Sequence, residues 1–187
     1  MRIPYIILAL FLILNCSRNR DSNGGGDETL QREKSDSALV LLTEGVLHNF
    51  SSPANKDTFK IVVTGSSIRE GTVHFQIVTH DNRIIYDEKF TTDWFLDYGA
   101  DGDTTELQKE NYITTRINNF FNEENFLQPA IKKTDRYDAD YSDRKNWEDI
   151  KSDASAVGFK YLVGKEDGRR IAYSKQWQKV VLYYNCC

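Results

Sequence analysis

A chain of 187 residues, 40% hydrophobic and 12% aromatic, is long and apolar enough for one folded domain around a real core, which excludes disorder throughout. Its 24 basic against 28 acidic residues give a net charge of -4. With no basic stripe interleaved with aromatics, the electrostatic footprint of a nucleic-acid-binding protein is missing.

The chain opens with Arg2 and an apolar run, Ile3–Leu14, broken only by Pro4 and Tyr5. The run is shorter than the roughly 20 residues that cross a bilayer, and it fits the hydrophobic part of a signal peptide over residues 1–15. It ends Ile13, Leu14, Asn15, Cys16. Aliphatic residues followed by a cysteine at this point resemble the lipobox of bacterial lipoproteins. Asn15 is larger than the usual small residue, as in lipobox variants of Bacteroidetes and spirochaetes. The resemblance covers residues 1–16 only. It implies cleavage before Cys16 and a covalent diacylglycerol and fatty acyl lipid on that cysteine, a membrane anchor of the multi-chain kind that holds stably. In that family an Asp after the cysteine retains the protein at the inner membrane. Ser17 stands there instead, so the resemblance implies the outer membrane, and Arg18 and Arg20 in place of acidic residues imply its periplasmic side.

Residues 16–36 read as the lipidated cysteine and a flexible tether, because Leu30 is the only large apolar side chain among them and Gly24–Gly26 adds freedom. The triple glycine lacks a preceding strand and a following Lys-Ser/Thr, so it is no phosphate loop. Residues 37–187 are expected to form one globular α+β domain. Ala38–Leu42 is an apolar run of undecided type. Phe59–Val63 alternates as a strand ending at Gly65. Thr72–His80 and Arg83–Phe90 form the clearest hairpin, about a two-residue turn at Asp81 and Asn82. That turn puts Val73, Phe75, Ile77, Ile84, Tyr86 and Phe90 on a core face and His74, Gln76, His80, Arg83, Asp87 and Lys89 on a solvated one.

Helical spacing follows. Asp103 and Glu106 suggest a capping box ahead of Leu107, Ile113, Ile117, Phe120 and Phe121. A shorter helix carries Trp147, Ile150, Ala154 and Val157, with Gly158 as its C-terminal cap. Strands over Phe159–Val163, Arg170–Ser174 and Lys179–Asn185 close the chain, and the last, apolar on both faces, is expected at the centre of its sheet. The order predicts one antiparallel sheet with two helices packed on one face.

Several constellations bear on chemistry. With Cys16 lipidated, Cys186 and Cys187 are the remaining thiols, in a compartment that permits disulfides. Adjacent Cα atoms sit about 3.8 Å apart, short of disulfide preference, so a bond between them is strained and readily reduced, which suits a redox switch. The other readings are a core-facing Cys186 beside a frayed Cys187, soft-metal capture, or an intermolecular bond. A closed zinc site needs about four ligands, and no His or Cys pair completes one. His74 and His80 lie about 20 Å apart along a strand and cannot share an ion. Asp138, Asp140 and Ser142, with Asp149 in the twelfth place, begin like a calcium loop, but Asp143 occupies the place that requires glycine. Asp97, Asp101, Asp103 and Glu106 form a second acidic stretch that capping explains. Trp94, Phe95 and Tyr98, with Tyr137 and Tyr141, offer either a glycan or partner platform or ordinary core filling. No nucleophile elbow, dinucleotide fingerprint or zinc-protease motif occurs. The expectation is a non-enzymatic binding module tethered to an envelope membrane, with an envelope protein or glycan as partner. The alternative is a thiol-redox or soft-metal protein using Cys186 and Cys187.

Overall fold

The computed structural model describes residues 39–100, 102 and 104–186. The expected signal peptide over residues 1–15, Cys16 and the expected tether up to residue 36 lie outside the described residues, as do Asp101, Asp103 and Cys187.

Two four-stranded antiparallel sheets carry the architecture. In the first, β1 (Val40–Asn49), β2 (Lys56–Thr64), β3 (Thr72–Val78) and β4 (Ile84–Thr91) lie side by side in chain order. In the second, the two-residue β5 (Phe126–Leu127) is followed by β6 (Gly158–Val163), β7 (Asp167–Ser174) and β8 (Lys179–Cys186). Helix α1 (Glu106–Asn118) precedes β5, and helix α2 (Arg144–Ser152) lies between β5 and β6.

The α+β class holds, but the single sheet does not. Phe59, Ile61, Val63, Val73, Phe75 and Ile77 of the first sheet share one core with Phe159, Tyr161, Val163 and Ile171 of the second. Two helices of 13 and 9 residues, burying only Ile113 and Ile117 and only Trp147 and Ile150, have too little apolar surface to cover eight strands. The inner faces of the sheets therefore bury one another. The helices also part company. α1 belongs to the shared core, where Phe120 just beyond it meets Phe75 at 5.4 Å and Phe159 at 5.6 Å. α2 packs on the far side of the second sheet, where Trp147 and Ile150 cover Ala172, Val181 and Tyr183 in a second core.

Local rules account for the elements and for their departures from expectation. β3 and β4 pair in the expected register, Val73 opposite Phe90 and Ile77 opposite Tyr86. Their loop, however, has three residues rather than two, because the Thr79 amide donates to the Arg83 carbonyl and Asn82 takes the left-handed conformation at φ 64°. The extra residue shifts the register, a bulge at Ile85 absorbs it, and Ile84 turns outward at 56% exposure. α1 is capped by Thr105, whose hydroxyl accepts from the Gln108 amide while Gln108 accepts from the Thr105 amide. This box starts two residues after the expected one, and Leu107 is left 67% exposed. α2 ends at Ser152 with Asp153 as its cap, so Ala154 lies beyond the helix and is exposed, and Gly158 opens β6 instead of capping a helix. Gly158 is required there by close packing, since a Cβ would lie 2.6 Å from the Tyr183 hydroxyl. β8 is an edge strand, not a central one. The Asn185 amide donates to the Tyr141 carbonyl and the Asn146 side chain donates to the Leu182 carbonyl, so a loop and α2 cover that edge. No helix among the described residues is long and apolar enough to cross a membrane.

Candidate functional site

The register of the second sheet decides where its charges fall. Lys160 of β6 pairs with Arg170 of β7, which pairs with Tyr184 of β8, while Leu162 pairs with Gly168, which pairs with Cys186. These residues share the outer face with Gly158, Ala172, Val181 and Tyr183. α2 and its flanking loop cover the latter group, with Tyr184 packed against the margin of that cover. The remaining half of the face floors a cleft of about 580 Å³, walled on the other side by the end of α1 and the 3-10 turn after it: Arg116, Asn119, Phe120, Asn122, Glu124 and Asn125.

The lining is cationic. Arg116, Lys160, Arg169 and Arg170 face one carboxylate, Glu124. Two of the four are neutralised from behind. Asp97 pairs with Arg116 and also accepts from Tyr112 and from the Gly99 amide, at 2.9 Å. Burial raises the Asp97 carboxyl, but these donors outweigh it and hold the group below the usual carboxylate range. Arg169 pairs with Glu88 of β4 and, at 2.6 Å, with Asp167. Glu88 accepts in turn from Tyr86 at 3.0 Å and Tyr161 at 2.9 Å, and the two hydroxyls lie 2.7 Å apart. Burial pushes both phenols well above the ordinary range, so they act as neutral donors. This cluster joins the two sheets at the base of the cleft.

Lys160 and Arg170 differ from the other two. No ion pair is recorded for either among the described residues, and Arg170 lies over the Tyr184 ring at 4.5 Å. Like charges directly opposite each other on neighbouring strands destabilise a sheet. A second depression of about 420 Å³ adjoins the same two cations and adds Lys132 and Asp135.

The residues singled out from the sequence are dispersed. Cys186 lies on the cleft floor and is disulfide-bonded, with its partner outside the described residues. The calcium pattern does not assemble, for among the described residues no three His, Cys, Asp or Glu side chains gather as a metal site. Asp138 accepts from the Asp140 amide in its own turn, and α2 begins at Arg144, which carries Asp149 away on a helix. The Ser142 carbonyl accepts from Tyr137. His74 shares Asp87 with Gln76, His48 stacks on Phe126 at 3.9 Å, and His80 sits in the hairpin loop. The aromatics form no single platform: Phe95 is core, Trp94 stacks on Phe90, Tyr137 packs on Trp147, and Tyr141 lies 6.0 Å from Tyr184.

The cationic pair escaped sequence reading, although a signal for it existed. A hairpin centred on Lys165 places residues 160 and 170 opposite one another. Comparison with family models, with curated proteins and with solved structures finds no match.

Proposed function

We infer that the domain is a non-enzymatic binding module that captures an anionic ligand in the cleft between α1 and the bare half of the second sheet. One observation carries the reading: Lys160 and Arg170 oppose each other on the cleft floor, and among the described residues neither has a carboxylate within ion-pair distance. A ligand carboxylate, sulfate or phosphate between them supplies the missing counter-charge, and charge-assisted hydrogen bonds are the strong kind. Arg116 and Arg169, already neutralised, are held by their carboxylates to shape the walls.

Titration with poly-glutamate tests this. Reversal of both charges, Lys160→Glu with Arg170→Glu, is expected to weaken binding by at least about tenfold. Reversal of Lys56, at the start of β2, is expected to leave it unchanged. A Lys160→Glu single variant removes a repulsive cross-strand pair, so its thermal stability is expected to hold or rise slightly. Unchanged affinity in the folded double variant would sink the reading.

The sequence of residues 1–16 supports a further part of the proposal, that lipid on Cys16 holds the module at the outer membrane with its domain towards the periplasm. Replacement of Cys16 by Ala is expected to abolish palmitate labelling and move the protein to the soluble fraction. The disulfide at Cys186 favours a second reading, in which thiol oxidation sets the shape of the cleft floor. The poly-glutamate titration repeated after reduction decides it, since equal affinity before and after removes the redox role.

A further inference from the structure

The cleft lies where a strand is missing. β5 pairs its two residues with β6, Phe126 opposite Phe159 and Leu127 opposite Gly158. Continued backwards, that register would set Asn125 opposite Lys160 and Glu124 opposite Tyr161. The chain instead turns away through the 3-10 turn Glu123–Asn125, where the Asn125 side chain donates to the Phe120 carbonyl at 2.9 Å and the Asn125 amide to the Asn122 carbonyl at 2.8 Å. Lys160–Val163 therefore has β7 on one side and no strand on the other. At the far end the Gly164 amide donates to the Trp94 carbonyl, which closes the gap. What remains is an open strand edge of about 13 Å between two stops, facing the cleft that Lys160, Tyr161 and Leu162 line.

An antiparallel strand with one neighbour directs the N–H and C=O groups of alternate residues away from it. Such an edge binds an extended chain by main-chain hydrogen bonds, with side-chain pockets choosing the sequence. Unguarded edges pair indiscriminately, and a lysine on the edge discourages neutral or basic strands. Lys160 stands on this edge with Arg170 beside it, so the strand it admits is acidic.

We propose that the ligand of this cleft is an extended acidic segment of a partner protein, which adds to the second sheet as a strand along Lys160–Val163 in the place that a longer β5 would fill. This rests on the reading of the cleft as an anion site. A bare cluster of cations serves any polyanion, a glycan included, but a free strand edge serves a polypeptide.

The probe is a capped peptide alternating Val and Glu, prepared unmodified and in two forms N-methylated on one or the other alternating set of amides. The unmodified peptide is expected to bind and to protect amides within Lys160–Val163 from hydrogen exchange. One methylated form is expected to lose about tenfold or more in affinity, because its methyls face β6, while the other binds nearly as well. Equal binding by all three forms would overturn strand addition and leave the anion site standing. Binding of heparin but of no peptide, dependent on Lys160 and Arg170, would overturn it in favour of a polysaccharide. Binding of no polyanion, poly-glutamate included, would overturn both readings.

Discussion

Phe75→Ala is expected to cost the domain about 3–5 kcal/mol, the range of the most damaging core truncations. Phe75 is fully buried on β3 and meets rings from every part of the shared core. Tyr86 lies at 5.2 Å on its own sheet, Phe159 at 5.8 Å and Tyr161 at 5.7 Å on the other, and Phe120 at 5.4 Å beyond α1. Truncation removes the ring's transfer free energy and leaves a cavity that two sheets and a helix cannot all move to fill. A small domain has only about 5–15 kcal/mol in total, so this loss is a large share of it. Urea denaturation of the wild type and the variant measures the effect. Leu107→Ala, on the exposed side of α1, serves as the control and is expected to change stability by less than about 0.5 kcal/mol. A loss under about 1 kcal/mol at Phe75 would mean that the two sheets do not share this core.

Phe75 also shows why part of the fold was legible in the sequence. Period-two alternation in β2, β3 and β6 marks the inner positions directly, and each of them is buried. What alternation leaves open is whether the second apolar surface belongs to helices or to another sheet. Trp147 and Ile150 looked like a core stripe, yet they cover only half of one outer face. Single-residue insertions were equally hidden. The third loop residue at Asn82 turned Ile84 out, and the bulge in β8 put Tyr183 and Tyr184 on one side, so that Tyr183 joins the second core. The cleft was less legible still. One side is lined by residues 160–186 and the other by residues 116–125. Only tertiary packing joins them, and a missing strand leaves no trace in composition.

Removal of the Glu88 carboxylate is expected to destabilise the domain and, in the same variant, to strengthen the cleft. Glu88 anchors the polar joint between the sheets: Oε2 accepts from Tyr86 and Tyr161, and Oε1 accepts from Arg169. Both members of the Glu88–Arg169 pair are largely buried, with side-chain exposures of 18% and 20%. Breaking a buried pair by deleting one partner costs about 3–5 kcal/mol, because the survivor stays desolvated without its counter-charge. Asp167 still holds Arg169 from the other side, which places Glu88→Ala near the lower end, at about 3 kcal/mol. Glu88→Gln keeps an acceptor for the two hydroxyls and is expected to lose about half as much. The consequence for binding runs the other way. Without Glu88 the Arg169 guanidinium, already at the cleft wall, is less neutralised and joins Lys160 and Arg170 in attracting the ligand. Poly-glutamate affinity is therefore expected to rise in Glu88→Gln by a few-fold at low salt, and the gain to shrink as salt screens it. A variant that loses stability with no change in affinity would separate the inter-sheet joint from the site. One that loses both would place Glu88 among the groups that shape the cleft itself.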